Sequence, residues 1–200
     1  MFSRLFNVIH FLSVFILTLL AAVGVLYMMG VYDKPIHPTI IEIEEVEKEP
    51  EIIFTKEHKD ISEVIVNYTN LDNDTAIRYA KHILDASKTF GVNVGIITGM
   101  MIAESTGKWD ASSGIADGLM QVRWDIHGPN IKKAFSKIKN KADFMKPRNN
   151  IHVGVWIFSC YLRSCNGDYE KALRKYSGGA NSGYYERIFR ISKQVPGGLE

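Results

Sequence analysis

From Leu5 to Val31 the chain has no Asp, Glu, Lys or Arg over 27 residues, and about 20 apolar residues suffice to cross a hydrocarbon core as a helix. A cleaved signal peptide would use the small residues Ala22-Val23-Gly24, but apolar sequence continues through Val25-Leu26-Tyr27-Met28-Met29. An uncleaved anchor over residues 5–31 is therefore expected ahead of a cleaved signal or a signal-arrest-release anchor. Cysteine is scarce as well. Cys160 and Cys165 are the only two, so a disulfide framework is excluded, and their spacing leaves one bridge or two thiols open. His10, His37, His58, His82, His127 and His152 are scattered without ligand spacing, and no metal is expected. Internal repeats, low-complexity segments and sustained strand alternation are all missing, which excludes a solenoid and favours a compact, mainly α domain.

Charge is distributed unevenly along the chain. Residues 1–32 carry only Arg4, whereas residues 33–60 hold nine acids against four lysines. With a net charge of +2 overall, residues 61–200 are left with +6. Residues 1–32 read as a cytoplasmic N-terminal end and transmembrane anchor. Residues 33–60, with Pro35, Pro38, Pro50 and the run Glu42 to Glu49, read as an acidic extended linker. Arg4 before the span and acids after it favour an external C-terminal domain under the positive-inside rule. A basic folded part suits a polyanion such as nucleic acid, anionic lipid or bacterial cell wall. The cluster Lys132, Lys133, Lys137, Lys139, Lys141, Lys146 and Arg148 lacks interleaved aromatic residues, so no nucleic acid is expected.

Helical periodicity dominates beyond residue 60. Asn73 or Asp74 is a candidate cap for a helix to about Phe90, stopped by Gly91, and Asn93 for the next. Further helices are expected over residues 129–138, 150–162, 168–176 and 183–193, with a small hairpin near 112–124. In the helix after Asn93, Glu104 continues the spacing of Ile97 and Met100, which points its carboxylate toward the core near a helix C-terminus. Burial and the negative end of the helix dipole both favour the protonated form. A carboxyl held protonated near neutral pH is what donation to a glycosidic oxygen requires. Asp110, Asp117 and Asp125 fall in presumed loop and read as solvated.

Around Glu104 the residues form a pattern. Glu104-Ser105 is followed by Ser112, by Gly118-Leu119-Met120-Gln121, by Asn150-Ile151-His152-Val153-Gly154, by Lys175-Tyr176-Ser177-Gly178-Gly179 and by Tyr184-Tyr185-Glu186-Arg187-Ile188. In this order and spacing the chain resembles the lytic transglycosylases of the soluble-lytic-transglycosylase type, related to goose-type lysozyme, over roughly residues 70–192.

That resemblance implies a lysozyme-like helical domain, here over residues 61–200, behind the transmembrane helix and acidic stalk. It implies Glu104 as the catalytic acid and base, and Ser112, Met120, Gln121, Tyr176 and Ser177 as substrate-binding residues. Gly118 would let backbone approach a sugar, Met120 would form an adaptable apolar wall, and Gln121 would offer a donor and an acceptor. The implied reaction cleaves the β-1,4 bond between N-acetylmuramic acid and N-acetylglucosamine, yields a 1,6-anhydro sugar and needs no cofactor. A hydrolytic muramidase and a non-catalytic wall-binding module of the same fold are the alternatives. The implied partner is the glycan strand of peptidoglycan, met outside a bacterial inner membrane, with docking to a larger envelope or virion assembly open. Two departures stand out: Ser177 where the family usually has Asn, and Ile115 where it usually has Gly.

Overall fold

A computed structural model of the chain describes residues 53–179 and 182–199. The expected anchor at residues 5–31 and most of the linker lie outside these residues. Among the described residues no helix is long and apolar enough to cross a membrane.

Helix formation begins before residue 60. Helix α1 (Lys56–Tyr68) starts at Thr55, whose backbone N–H donates to His58 Nδ1 at 3.0 Å. Its face Ile61, Val64 and Ile65 is buried against α2 (Asn73–Phe90). Residues 56–60 are thus helical rather than extended, because the apolar face just beyond them needs a complete turn ahead of it. Helix α2 is capped by Asp72 and not by Asn73 or Asp74: Asp72 accepts from the Thr75 backbone N–H and hydroxyl, both at 2.8 Å. Gly91, at φ +66°, ends it in the left-handed conformation that favours glycine.

Asn93 opens α3 (Val94–Ser105), accepting from Gly95 and Ile96 N–H groups at 2.9 and 3.2 Å. Every residue from Gly95 to Ile102 is buried, so α3 is a central helix covered all round rather than one with a single apolar stripe. The chain then runs irregularly to α4 (Trp124–Ala134). In place of the expected hairpin there are two isolated antiparallel bridges, Ser112 with Asp117 and Asp117 with Val122, and no strand occurs among the described residues.

Helix α4 begins five residues ahead of Pro129, which sits inside it and removes one backbone donor. The earlier start is anchored by Trp124, stacked on buried Phe144 with ring centroids 5.2 Å apart. Phe144 belongs to the short α5 (Lys141–Met145), which precedes α6 (Pro147–Ser164), α7 (Tyr169–Tyr176) and α8 (Ser182–Ser192). Cys160 and Cys165, at the end of α6 and just past it, are both free thiols.

Helices α3 and α8 approach each other closely. A Cβ built on Gly99 would sit 2.8 Å from the Ile188 carbonyl oxygen, and one on Gly95 would sit 2.5 Å from Ser192 Oγ. The pairs Gly95/Ser192 and Gly99/Ile188 advance four residues on one helix while retreating four on the other. The two helices are therefore antiparallel and nearly touch backbone to backbone. One more turn of the same register brings Tyr184 opposite the end of α3.

Candidate active site

Glu104 is the penultimate residue of α3, at the edge of the core. Met100, Met101 and Ile102 before it are fully buried, and Thr106 and Gly107 after it turn the chain away at φ +51° and +80°. Ser105 fixes this exit by donating to the Met101 carbonyl at 3.1 Å and accepting from the Gly107 N–H at 3.2 Å. The carboxyl is left half-buried, and its Oε1 accepts a hydrogen bond from the Tyr184 hydroxyl.

Burial pushes the Glu104 carboxyl above its ordinary range, and the Tyr184 bond pulls it partly back. Burial, followed by the charge of Glu104, drives the Tyr184 phenol far upward, so Tyr184 remains a donor at neutral pH. Tyr176 is raised by the same two causes in the same order. Helices α3, α7 and α8 thus bring a carboxyl and two phenols into one electrostatic cluster.

The turn 117–121 is built against α6. Asn150, fully buried in α6, accepts from the Met120 N–H at 2.8 Å and donates to the Asp117 carbonyl at 3.3 Å. A Cβ on Gly118 would lie 2.2 Å from Asn150 Nδ2, and one on Gly154 would lie 2.4 Å from Met120 Cβ. Glycine at both positions is what lets turn and helix close together. The Tyr176 hydroxyl completes the clamp by donating to the Met120 carbonyl at 2.7 Å. Gln121, itself at φ +45°, donates its side-chain amide to the Ala111 and Gly118 carbonyls at 3.1 and 3.0 Å.

Each residue singled out from the sequence now has a position. Gln121 and Tyr176 line a recess of about 240 Å³ together with Arg123, Ile126, His127 and Tyr161. Glu104 is not among its lining residues. Met120 has no exposed surface, so its side chain backs the turn from inside instead of offering a wall to solvent. Ser112 is exposed and donates to Asp117 Oδ1 at 3.0 Å, while Ser177 donates to the Arg174 carbonyl at 3.2 Å. Asp117 is not solvated as expected. It is buried and bridged to Lys141 at 2.7 Å, which ties the turn to α5. Asp125 is exposed and paired with Arg123 at 2.8 Å.

Three contributors escaped the sequence reading: Tyr184, Asn150 as the clamp, and Gly154. Asn150 and Gly154 stood within a recognised pattern, and Tyr184 within a recognised helix. Their partners depend on which turns face each other across 80 residues in one case and 30 in the other.

A family model described as Transglycosylase SLT domain matches residues 81–187. No curated protein matches the chain.

Proposed function

The chain belongs to the Transglycosylase SLT domain family, within the lysozyme-like superfamily, and is a lytic transglycosylase acting on peptidoglycan; from that premise we propose that Glu104 is its acid and base and that the product is a 1,6-anhydromuramoyl sugar. Glu104 protonates the oxygen of the β-1,4 bond as its bond to C1 of N-acetylmuramic acid breaks, releasing the N-acetylglucosamine side with a free 4-hydroxyl. The acetamido group of the muramoyl unit stabilises the cationic C1. Glu104, now a carboxylate, takes the proton of the C6 hydroxyl as that oxygen bonds to C1. The acid is restored and water takes no part.

The observation that carries this reading is the half-buried Glu104 carboxyl with a single phenol donor. Burial favours the protonated form used in the first transfer, and Tyr184 steadies the carboxylate needed for the second. Most glycosidases divide these tasks between two carboxylates. Here Asp117, the buried aspartate of the turn, is occupied by Lys141, which supports a one-carboxylate mechanism. Gln121 and Tyr176 would hold the sugar in the recess, with Ser112, Met120 and Ser177 shaping the segments around it.

Glu104→Gln tests the assignment. On purified sacculi the folded variant should release anhydromuropeptides at least about 10³-fold more slowly, since acid–base loss commonly costs 10² to 10⁴ and one group serves both steps. Unchanged release would remove Glu104 from the mechanism. Reducing-end products from the unmodified protein, heavier by one water, would instead make it a hydrolase. We also propose that residues 5–31 tether the enzyme with its folded part outside the membrane. Carbonate-washed membranes should retain the full chain, and a soluble, N-terminally trimmed form would overturn the tether.

A further inference from the structure

The charge excess of the folded part is confined to one segment. Residues 123–148 hold eight lysines and arginines against two aspartates, a net +6, while the rest of residues 61–200 has eleven of each sign. The segment comprises α4, α5, the connection between them and the first residues of α6. It is rigidly backed. Phe135, Ile138 and Phe144 are buried beneath it, Trp124 stacks on Phe144, and Lys132 Nζ lies 5.6 Å from the centroid of the Trp124 ring. Lys132, Lys133 and Lys139 are all exposed.

The start of this segment borders the recess, whose lining includes Arg123, Ile126 and His127. A strand seated in the recess would therefore carry its own substituents onto the basic segment. In peptidoglycan those substituents are peptide stems bearing carboxylates. We propose that residues 123–148 bind the carboxylates of the peptide stems on the strand being cut, so that the enzyme favours strands whose stem carboxylates are free. The inference rests on the peptidoglycan reading above. Exposed cations held on a fixed surface beside a cleft raise local anion concentration, in a way that salt screens.

The test uses the full-length chain in detergent and the triple variant Lys132→Gln, Lys133→Gln, Lys139→Gln, none of which belongs to the acid or the recess. Each is sedimented with intact sacculi and with sacculi whose stem carboxylates have been amidated with carbodiimide and ammonia, and turnover is followed in parallel. At low salt the variant should bind intact sacculi about tenfold more weakly with kcat retained. The gap should close toward about 1 M salt, where the Debye length is about 3 Å. On the amidated sacculi the two proteins should bind alike. Equal weakening on both substrates, or no weakening on either, overturns the proposal. Weakening confined to phosphatidylglycerol vesicles also overturns it, in favour of a lipid surface. Sedimentation needs no turnover, so salt-sensitive discrimination without product release would sink the catalytic reading and leave this one standing.

Discussion

At the scale of single residues, the pair Glu104 and Tyr184 sets two opposing demands on one carboxyl. Burial favours the acid, and the phenol favours its conjugate base. Removing the phenol in Tyr184→Phe leaves burial unopposed, so the Glu104 pKa rises further. The basic limb of kcat/KM, which reports loss of the acid form, should move to higher pH. Under the proposed mechanism the maximal rate should still fall by about tenfold, because the carboxylate formed after the first transfer has lost a hydrogen bond to a charged group, worth about 1.5 to 3 kcal/mol. A pH–rate profile on sacculi decides the matter. An unshifted limb with a lowered plateau would mean that Tyr184 serves packing alone.

At the scale of elements, the seam between α3 and α8 is what carries Tyr184 to Glu104. Gly99→Ala places a methyl 2.8 Å from the Ile188 carbonyl oxygen and 3.0 Å from its Cγ2. Since the first of these is backbone, α8 must shift. The expected cost is about 1 to 3 kcal/mol by denaturant unfolding, despite the gain in helix propensity. Activity should fall more than stability explains, as Tyr184 moves off the carboxyl. Full specific activity in the folded variant would show that the register does not matter.

Helix ends were legible in the sequence where the chemistry was local: Asn93 at the start of α3 and Gly91 at the end of α2. Asp72, Asn73 and Asp74 can all cap, and only the packing of α2 on α1 chooses among them. Residues 129–138 read as a helix, yet the helix spans Trp124–Ala134, with Trp124 holding its start by stacking on a residue 20 positions away. The single apolar stripe expected for α3 is instead burial on every side, because α8 covers the glycine face that a periodicity argument leaves blank. The same long-range register hid the Tyr184 partner of Glu104.

At the scale of the whole molecule, acid should loosen the fold through histidines. His82 has a buried Nδ1 with no hydrogen-bond partner among the described residues. Burial first, then His152 and Lys81, with Asp85 opposing and Arg148 adding least, lower its pKa from 6.5 to about 4. Above pH 6.5 His82 is neutral folded or unfolded, and stability does not depend on it. Between 6.5 and about 4 the unfolded chain takes up a proton that the folded chain refuses, so stability falls as pH falls. The loss from His82 alone reaches about 3 kcal/mol at the foot of that window. Thermal melts should show Tm dropping steadily from pH 7 to pH 4, and His82→Leu should flatten the slope. An equally steep slope in that variant would assign the acid sensitivity elsewhere, with His152, also lowered by burial, as the next candidate.

The α3–α8 seam also bears on when the enzyme becomes dangerous. A ribosome makes Glu104 long before Tyr184, and α8 is the last of the described helices to emerge. Until it docks, Gly95 and Gly99 face no partner, and the carboxyl has neither its cover nor its phenol. Under the proposed mechanism a chain still lacking α8 would cut the wall more weakly, so the order of synthesis itself holds the activity back until that helix has been made and has docked.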